Sequence, residues 1–307
     1  MRWRGVSLPK GITAGASDNS FQHVPRVAQR GDGAVPIMTA LTATLHDPDG
    51  RLRPALEERG ERLEGYAAVY VAATAATDRR LGEMLRERGA MVIAGDERIG
   101  VARRAALGAA VDRGHAGYLA CDFDRWLHWA GCFPEELAGV PSRLAKRRPA
   151  PWYACLGRTG RAFASHPPVQ RAAERATNHA LSLAVGRRLD ATAGACWLSA
   201  EGAGLILRES VEATNATDLE WPALIHRADP RRLAFLATEG LEFETAIFAA
   251  AEVAEAGGGA AWVRARYERP EVWLARLRLA ADSVEAACRV LGCGNEVRDD
   301  ESGRGRR

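Results

Sequence analysis

His115-Ala116-Gly117-Tyr118-Leu119-Ala120-Cys121-Asp122-Phe123-Asp124 is the stretch on which the reading of this chain turns. An apolar run with the look of a buried strand, His115–Cys121, ends in two carboxylates one residue apart. Residues i and i+2 of an extended segment point to the same face. Asp122 and Asp124 are therefore expected to converge on one hard cation, or one on a cation and the other on a sugar hydroxyl. Oxygen ligands suit Mg²⁺ or Mn²⁺, and these ions suit a diphosphate. An acidic strand-to-loop turn is the plainer alternative, because Asp-x-Asp by itself is a common motif.

Working outward, the residues before this stretch alternate between strand and helix signals. Val35–Leu45 reads as a strand, and His46-Asp47-Pro48-Asp49-Gly50 has strong turn chemistry. Leu52–Leu63 has helical spacing and Tyr66–Ala73 reads as a second strand. Thr77-Asp78 opens a helix that ends at Gly89. Ala90–Ala94 is a third strand and Ile99–Arg113 a third helix. This alternation specifies an α/β fold, a doubly wound and mostly parallel sheet with helices on both faces. Such sheets bind ligands beyond the carboxyl ends of their strands, which is where the acidic pair lies. Further on, Tyr153–Leu156 is a strand, Gly157–Pro168 a polar loop, Gln170–Val185 a helix and Asp190–Leu198 a turn and strand. Glu201–Glu209 and Glu220–Ile225 are helical, Leu233–Ala237 is a short strand, and Pro270–Leu291 is an amphipathic helix.

Composition narrows the class. The 307 residues are 47% hydrophobic and 26% charged, enough for a packed core. A net charge of +3 gives no reason to expect nucleic acid as partner. Lys10 and Lys146 are the only lysines, so phosphate contacts fall to arginine and backbone N–H groups. Six cysteines in a chain this long do not form a disulfide framework, and Cys288 and Cys293 lack the spacing of a zinc site. Reduced thiols and a cytoplasmic location are the expectation. No signal peptide is visible and no apolar stretch approaches the roughly 20 residues that span a bilayer, so membrane contact would be at most peripheral.

Several fragments in order resemble the GT-A nucleotide-sugar glycosyltransferases, particularly the broad family 2 that includes polyprenyl-phosphate sugar synthases. They are the strand ending in Asp122-Phe123-Asp124, and Asn178–Leu183 leading through Gly186 to Asp190-Ala191-Thr192-Ala193-Gly194. Leu198-Ser199 before a helix follows, then Asp218-Leu219-Glu220-Trp221, then Glu239–Glu244 after a short strand. The resemblance covers residues 35–245. It departs at the end of the first strand, where Thr42, Thr44 and His46 stand, and the basic cluster of processive synthases is absent. It implies a GT-A-like catalytic domain over 34–250, with a donor nucleotide half (34–130) and an acceptor half (131–250). Residues 1–33 are read as an irregular leader, 260–291 as a C-terminal helical element and 292–307 as a disordered tail.

The resemblance implies a divalent ion, Mg²⁺ or Mn²⁺, and a nucleoside diphosphate sugar donor. Asp122 would contact the donor and, with Asp124, the metal. Arg98, Arg103 and Arg104 begin a helix, where guanidinium groups and a helix N-terminus favour a diphosphate; an Arg-rich solvated face is the alternative. Arg158 is a candidate for a diphosphate or anionic acceptor. Asp190 either lines the acceptor pocket or caps its own turn. Asp218 and Glu220 are the candidates for the general base of an inverting transfer, with an N-cap the other reading of Asp218. His128 and His226 are candidate further metal ligands, although a lone His beside an apolar helix is more often packed. Trp126 and Trp129 either stack on a sugar or anchor a core helix. Glu239, Glu242 and Glu244 are candidate hydroxyl binders. Gly157–Pro168 and Asp190–Gly194 are expected to border the same cleft as the acidic pair. The rival readings are a sugar-phosphate nucleotidyltransferase and a non-catalytic nucleotide-sugar binding protein. The sequence leaves acceptor, anomeric outcome and oligomeric state open.

Overall fold

Why the acidic pair sits where it does follows from the order of seven strands. The structure is a computed structural model and describes residues 39–293; the leader and all of the tail beyond Cys293 lie outside them. In chain order the strands and helices are β1 (Thr39–Leu45), α1 (Arg53–Arg59), β2 (Val69–Thr74), α2 (Arg79–Glu87), β3 (Met91–Gly95), α3 (Ile99–Val111) and β4 (Gly117–Asp122). Then come α4 (Phe123–Cys132), α5 (Pro134–Ala145), β5 (Tyr153–Arg158), α6 (Gly160–Ala164), α7 (Pro168–Ala184) and β6 (Ala195–Ser199). The chain continues through α8 (Ala200–Glu209), α9 (Thr217–Ala228), β7 (Leu233–Thr238), α10 (Thr245–Phe248), α11 (Ala250–Glu255), α12 (Gly259–Tyr267) and α13 (Pro270–Leu291).

The sheet order is β3-β2-β1-β4-β6-β5-β7. Every neighbouring pair is parallel except those of β6, which runs antiparallel to both β4 and β5. The expected α/β class and mostly parallel sheet are therefore present. Alternation along the strands fills two cores. Leu41, Val71, Leu119, Ala154 and Leu156 face Trp126, Trp129, Leu56 and Leu81. Ala40, Tyr70, Tyr118, Tyr153 and Leu198 face Leu107, Ile206, Trp221 and Leu224.

Local signals set the helix ends. Asp78 caps α2 by accepting from Leu81 N at 2.9 Å, and Ser199 caps α8 by accepting from Gly202 N at 3.2 Å. Proline opens α5, α7 and α13, and Gly292 closes α13 with φ 74°. The expected helix over 52–63 is instead α1 followed by a 3₁₀ turn, Gly60–Gly65. The expected loop over 157–168 is the end of β5, then α6 with Thr159 as its cap. Among the described residues no helix is long and apolar enough to cross a membrane.

Candidate functional site

β4 stops at Asp122, and Phe123 already belongs to α4. The two acids are thus not successive outward positions of one strand: Asp122 ends the strand and Asp124 stands in the first turn of the helix. Both nevertheless reach one cleft, because the helix turns at the carboxyl edge of the sheet. They line a cavity of about 460 Å³ with Thr44, His46, Asp47, Thr74, Asp96, Thr245 and Phe248. The ends of β1, β2 and β3 supply the first wall and the segment after β7 the second.

Asp122 is held from two sides. Thr44, its register partner across β1, donates to Asp122 Oδ1 at 2.8 Å. Arg103 Nη2 lies 3.2 Å from Asp122 Oδ2, while its Nη1 donates to Asp218 Oδ1 at 2.6 Å and to Thr217 Oγ1 at 3.0 Å. Arg103 so bridges α3, β4 and α9. Gly194 closes this side with φ 69°. A side chain there would be strained, and its Cβ would stand 3.0 Å from Asp122 Oδ2 and 3.1 Å from Arg125 Nε.

Asp124 is different. Its one recorded hydrogen bond is from Arg125 N, at 2.8 Å. Burial, then the nearby charges of Glu244 and Asp122, push its carboxyl up to about 7, against the pull of Arg125. Glu244 is buried, its Oε2 has no hydrogen-bond partner, and the closest Arg125 nitrogen is 3.9 Å away. A buried carboxylate that lacks a partner beside another that resists ionising is a donor set short of a cation, and its oxygens are the hard ligands that Mg²⁺ and Mn²⁺ take. No group of three or more His, Cys, Asp or Glu able to hold a metal occurs among the described residues. The carboxylates here fit an ion that a ligand's phosphates help to hold, the usual arrangement for Mg²⁺.

A smaller cavity of about 80 Å³ adjoins on the other side of Asp122. Arg103, Arg125, Glu174, Thr192, Asp218 and Arg276 are in its wall. Burial raises the Asp218 carboxyl above its ordinary value, although Arg103 pulls the other way.

The other candidates sit elsewhere. Glu220 is 1% exposed, and its carboxylate accepts from Val211 N at 2.8 Å, Glu212 N at 3.1 Å and the Ser210 hydroxyl. It holds the α8–α9 loop and lines none of these cavities, so it is not placed as a base. His226 is eight residues beyond Asp218 on α9, about 12 Å along the axis and away from the cleft. Burial, then Arg187, lowers its pKa. It lines none of the cavities that Asp122 and Asp124 line. His128 is buried between Glu242, 3.1 Å away, and the Cys132 sulfur, 3.7 Å away. Trp126 and Trp129 are fully buried and anchor α4 beneath the cleft.

Arg98 is turned outward to Asp96, at 2.9 Å, and holds that carboxyl down at about 2. Arg104 donates to Ser210 Oγ at 3.0 Å and to the Glu212 carbonyl, again tying the α8–α9 loop. Of the three helix arginines, only Arg103 enters the cleft. Arg158 has no exposed side-chain surface and is locked to Glu174 at 2.6 Å and Asp190 at 2.7 Å. Burial raises the Asp190 carboxyl, but the hydrogen bonds and charge of Arg158 outweigh it and the pKa is lowered. Asn178 binds the same carboxylate at 2.7 Å. Asp190 therefore fixes its turn, and Thr192 and Gly194 are what that turn presents to the cleft. Gly157–Pro168 does not border this cleft; its residues line a separate cavity on the same edge.

Sequence reasoning missed Asp96, Arg125 and Arg276 as residues of the site. Asp96 follows a strand and could have been found from that position. Arg276 lies on α13 and carries no local signal.

No protein-family model matches the sequence, and no curated protein matches it either. Solved structures do match. Glucosyl-3-phosphoglycerate synthase from Mycobacterium tuberculosis, in complex with Mn²⁺, UDP-glucose and phosphoglyceric acid, superposes with a TM-score of 0.54 at 13% identity, covering 83% of this chain and 79% of that one. Mannosyl-3-phosphoglycerate synthase from Rubrobacter xylanophilus gives 0.51 at 14% identity, over 88% of this chain and 76% of that one. The fold is GT-A. The expected fold class is thereby found, and the GT-A sheet is what brings the strand ends at Thr44, Thr74, Asp96 and Asp122 to one edge.

Proposed function

We propose that the protein is a glycosyltransferase that moves a sugar from a nucleoside diphosphate sugar to an acceptor, with a divalent cation between diphosphate and protein. One observation carries this. The larger cavity is lined by Asp47, Asp96, Glu97, Asp122 and Asp124 with Arg51 as the one arginine in the lining; Arg98 and Arg103 pair with Asp96 and Asp122, which leaves Asp47, Glu97 and Asp124 without an ion pair among the described residues. A diphosphate does not enter so acidic a cleft by itself; with a bound cation the same carboxylates become its anchor. Its shape and position at the carboxyl edge suit a nucleotide. The neighbours' complexes with UDP-glucose and Mn²⁺ support a uridine donor and a Mn²⁺-like ion for this chain.

Asp124 would hold the ion, with Glu244 close behind it. The bound ion would stabilise charge on the departing diphosphate. Asp122, fixed by Thr44 and Arg103, would orient the donor between the two cavities. The smaller cavity would take the acceptor, with Asp218 as the group that removes a proton from its hydroxyl. Arg125 and Arg276 favour an acceptor carrying a phosphate or carboxylate, and the phosphoglycerate complexes of the neighbours support that class. Mn²⁺-dependent release of nucleoside diphosphate from a panel of nucleotide sugars, with phosphoglycerate and a neutral sugar as acceptors, tests the reading. Release without acceleration by the acidic acceptor would reject the acceptor class. Pyrophosphate-dependent formation of a nucleoside triphosphate would mark nucleotidyl transfer instead, and binding without turnover a non-catalytic protein.

A further inference from the structure

α7 separates two kinds of surface. Glu174 and Thr177 border the acceptor-side cavity, while Arg171, Arg175 and His179 border a second cavity of about 760 Å³. Arg187 and Arg188, in the turn after the helix, close one side of it, and Arg158 stands at its back. Phe163, Leu183, Leu189 and Phe235 make an apolar lining. It shares no lining residue with the two cavities that Asp122 borders, of about 460 and 80 Å³.

Its charge is one-sided. The only carboxylate in the lining is Asp190, already bound to Arg158. Arg171, Arg175, Arg187 and Arg188 form no ion pair among the described residues. Other arginines among the described residues, Arg113 and Arg208 for example, also lack an acid partner; what sets these four apart is that they line one cavity together. Arg175 lies over the Phe163 ring at 5.8 Å, and Arg187 donates to the Leu233 carbonyl at 2.6 Å. Arg171 Nε is buried without a partner. Guanidinium groups that line one cavity repel one another unless an anion joins them, and guanidinium matches phosphate in a bidentate geometry. The cavity's volume lies in the range of small-molecule sites.

We propose that this cavity is a second binding site, for a multiply charged phosphate compound whose organic part rests on the apolar lining. It lies apart from the donor and acceptor cavities. Thr192 and Glu174, both bound to Arg158, link its back wall to the acceptor side.

Calorimetry with inorganic pyrophosphate in chelator-treated, metal-free buffer tests this. Wild type and Asp124→Asn are expected to bind alike. The double variant Arg175→Ala, Arg188→Ala should bind about tenfold more weakly or worse, while the control Arg79→Ala, Arg80→Ala should not change. Thermal melting checks that each variant folds. Sedimentation with phosphatidylglycerol vesicles distinguishes the source of the phosphate. Vesicle binding lost in the cavity variant, without pyrophosphate binding, supports a lipid headgroup; pyrophosphate binding without vesicle binding supports a free compound. Affinity that is unchanged in the cavity variant, lost equally in the control, or absent for both probes overturns the proposal.

Discussion

Arg103 and Arg158 are built alike and used differently. Each holds two carboxylates and a threonine hydroxyl: Asp218, Asp122 and Thr217 for the first, Glu174, Asp190 and Thr192 for the second. The Arg103 side chain is 12% exposed and borders the smaller cavity of the cleft, whereas the Arg158 side chain has no exposed surface. An arginine cluster with an open side can exchange a protein partner for a ligand. A closed one can only keep its geometry. The comparison teaches that charge composition does not separate a site from a strut; access to solvent does.

The largest effect should come from breaking the closed cluster. Arg158→Met leaves Glu174 and Asp190 buried without their cation and should cost about 3–5 kcal/mol of stability, read by urea denaturation. A loss under about 1 kcal/mol would show that the cluster is solvated after all. At the open side, Asp124→Asn should lower Mn²⁺-dependent turnover by about a hundredfold or more, several kcal/mol of charge stabilisation, without lowering the melting temperature. Undiminished Mn²⁺-dependent binding of UDP by calorimetry would remove Asp124 from the metal site.

Asp218→Asn should keep donor affinity and lose turnover by about a hundredfold, the separation expected of a group that acts in the transition state. Glu220→Gln should leave turnover near wild type and cost about 1–2 kcal/mol through the α8–α9 loop. The reverse pattern in the two variants would exchange their roles.

The smallest effect is on pH. With its carboxyl raised to about 7, Asp124 holds a proton in the folded protein that the unfolded chain has released. Its contribution to stability is fully present below the unfolded value and declines as pH rises towards 7. Mn²⁺ affinity should move oppositely, rising by up to about tenfold per pH unit below 7 and levelling above it. A flat affinity profile between pH 5.5 and about 8 would separate Asp124 from the ion.

The first half was legible because periodicity, turn chemistry and strand-end position all speak locally. The strand–helix order and the place of the acidic pair came from these. The second half depends on long-range pairing. Nothing near Glu220 shows that its carboxylate turns to the 210–212 loop, and nothing near Arg158 shows that α7 brings Glu174 beneath it. Even in the deciding stretch, the strand expected over His115–Cys121 runs Gly117–Asp122, and the extended geometry expected to carry both acids stops at Asp122. Phe123 packs into the core as the first residue of α4, and buried volume outranked strand alternation there. The amphipathic helix 270–291 was readable to its ends because proline and glycine mark both.

β6 is the one strand that runs against the others, and it seals Asp122 on its open flank. It pairs Gly117 with Ser199, residues far apart in the chain. During synthesis β1 to β4 emerge first, with the acidic pair at their edge, yet the wall at Gly194 is made only after α7 and the turn behind it have left the ribosome. The half-built chain has carboxylates but no enclosure. On the proposed function, the enclosure that would keep water from a bound donor is therefore finished late in synthesis, by a strand entering backwards.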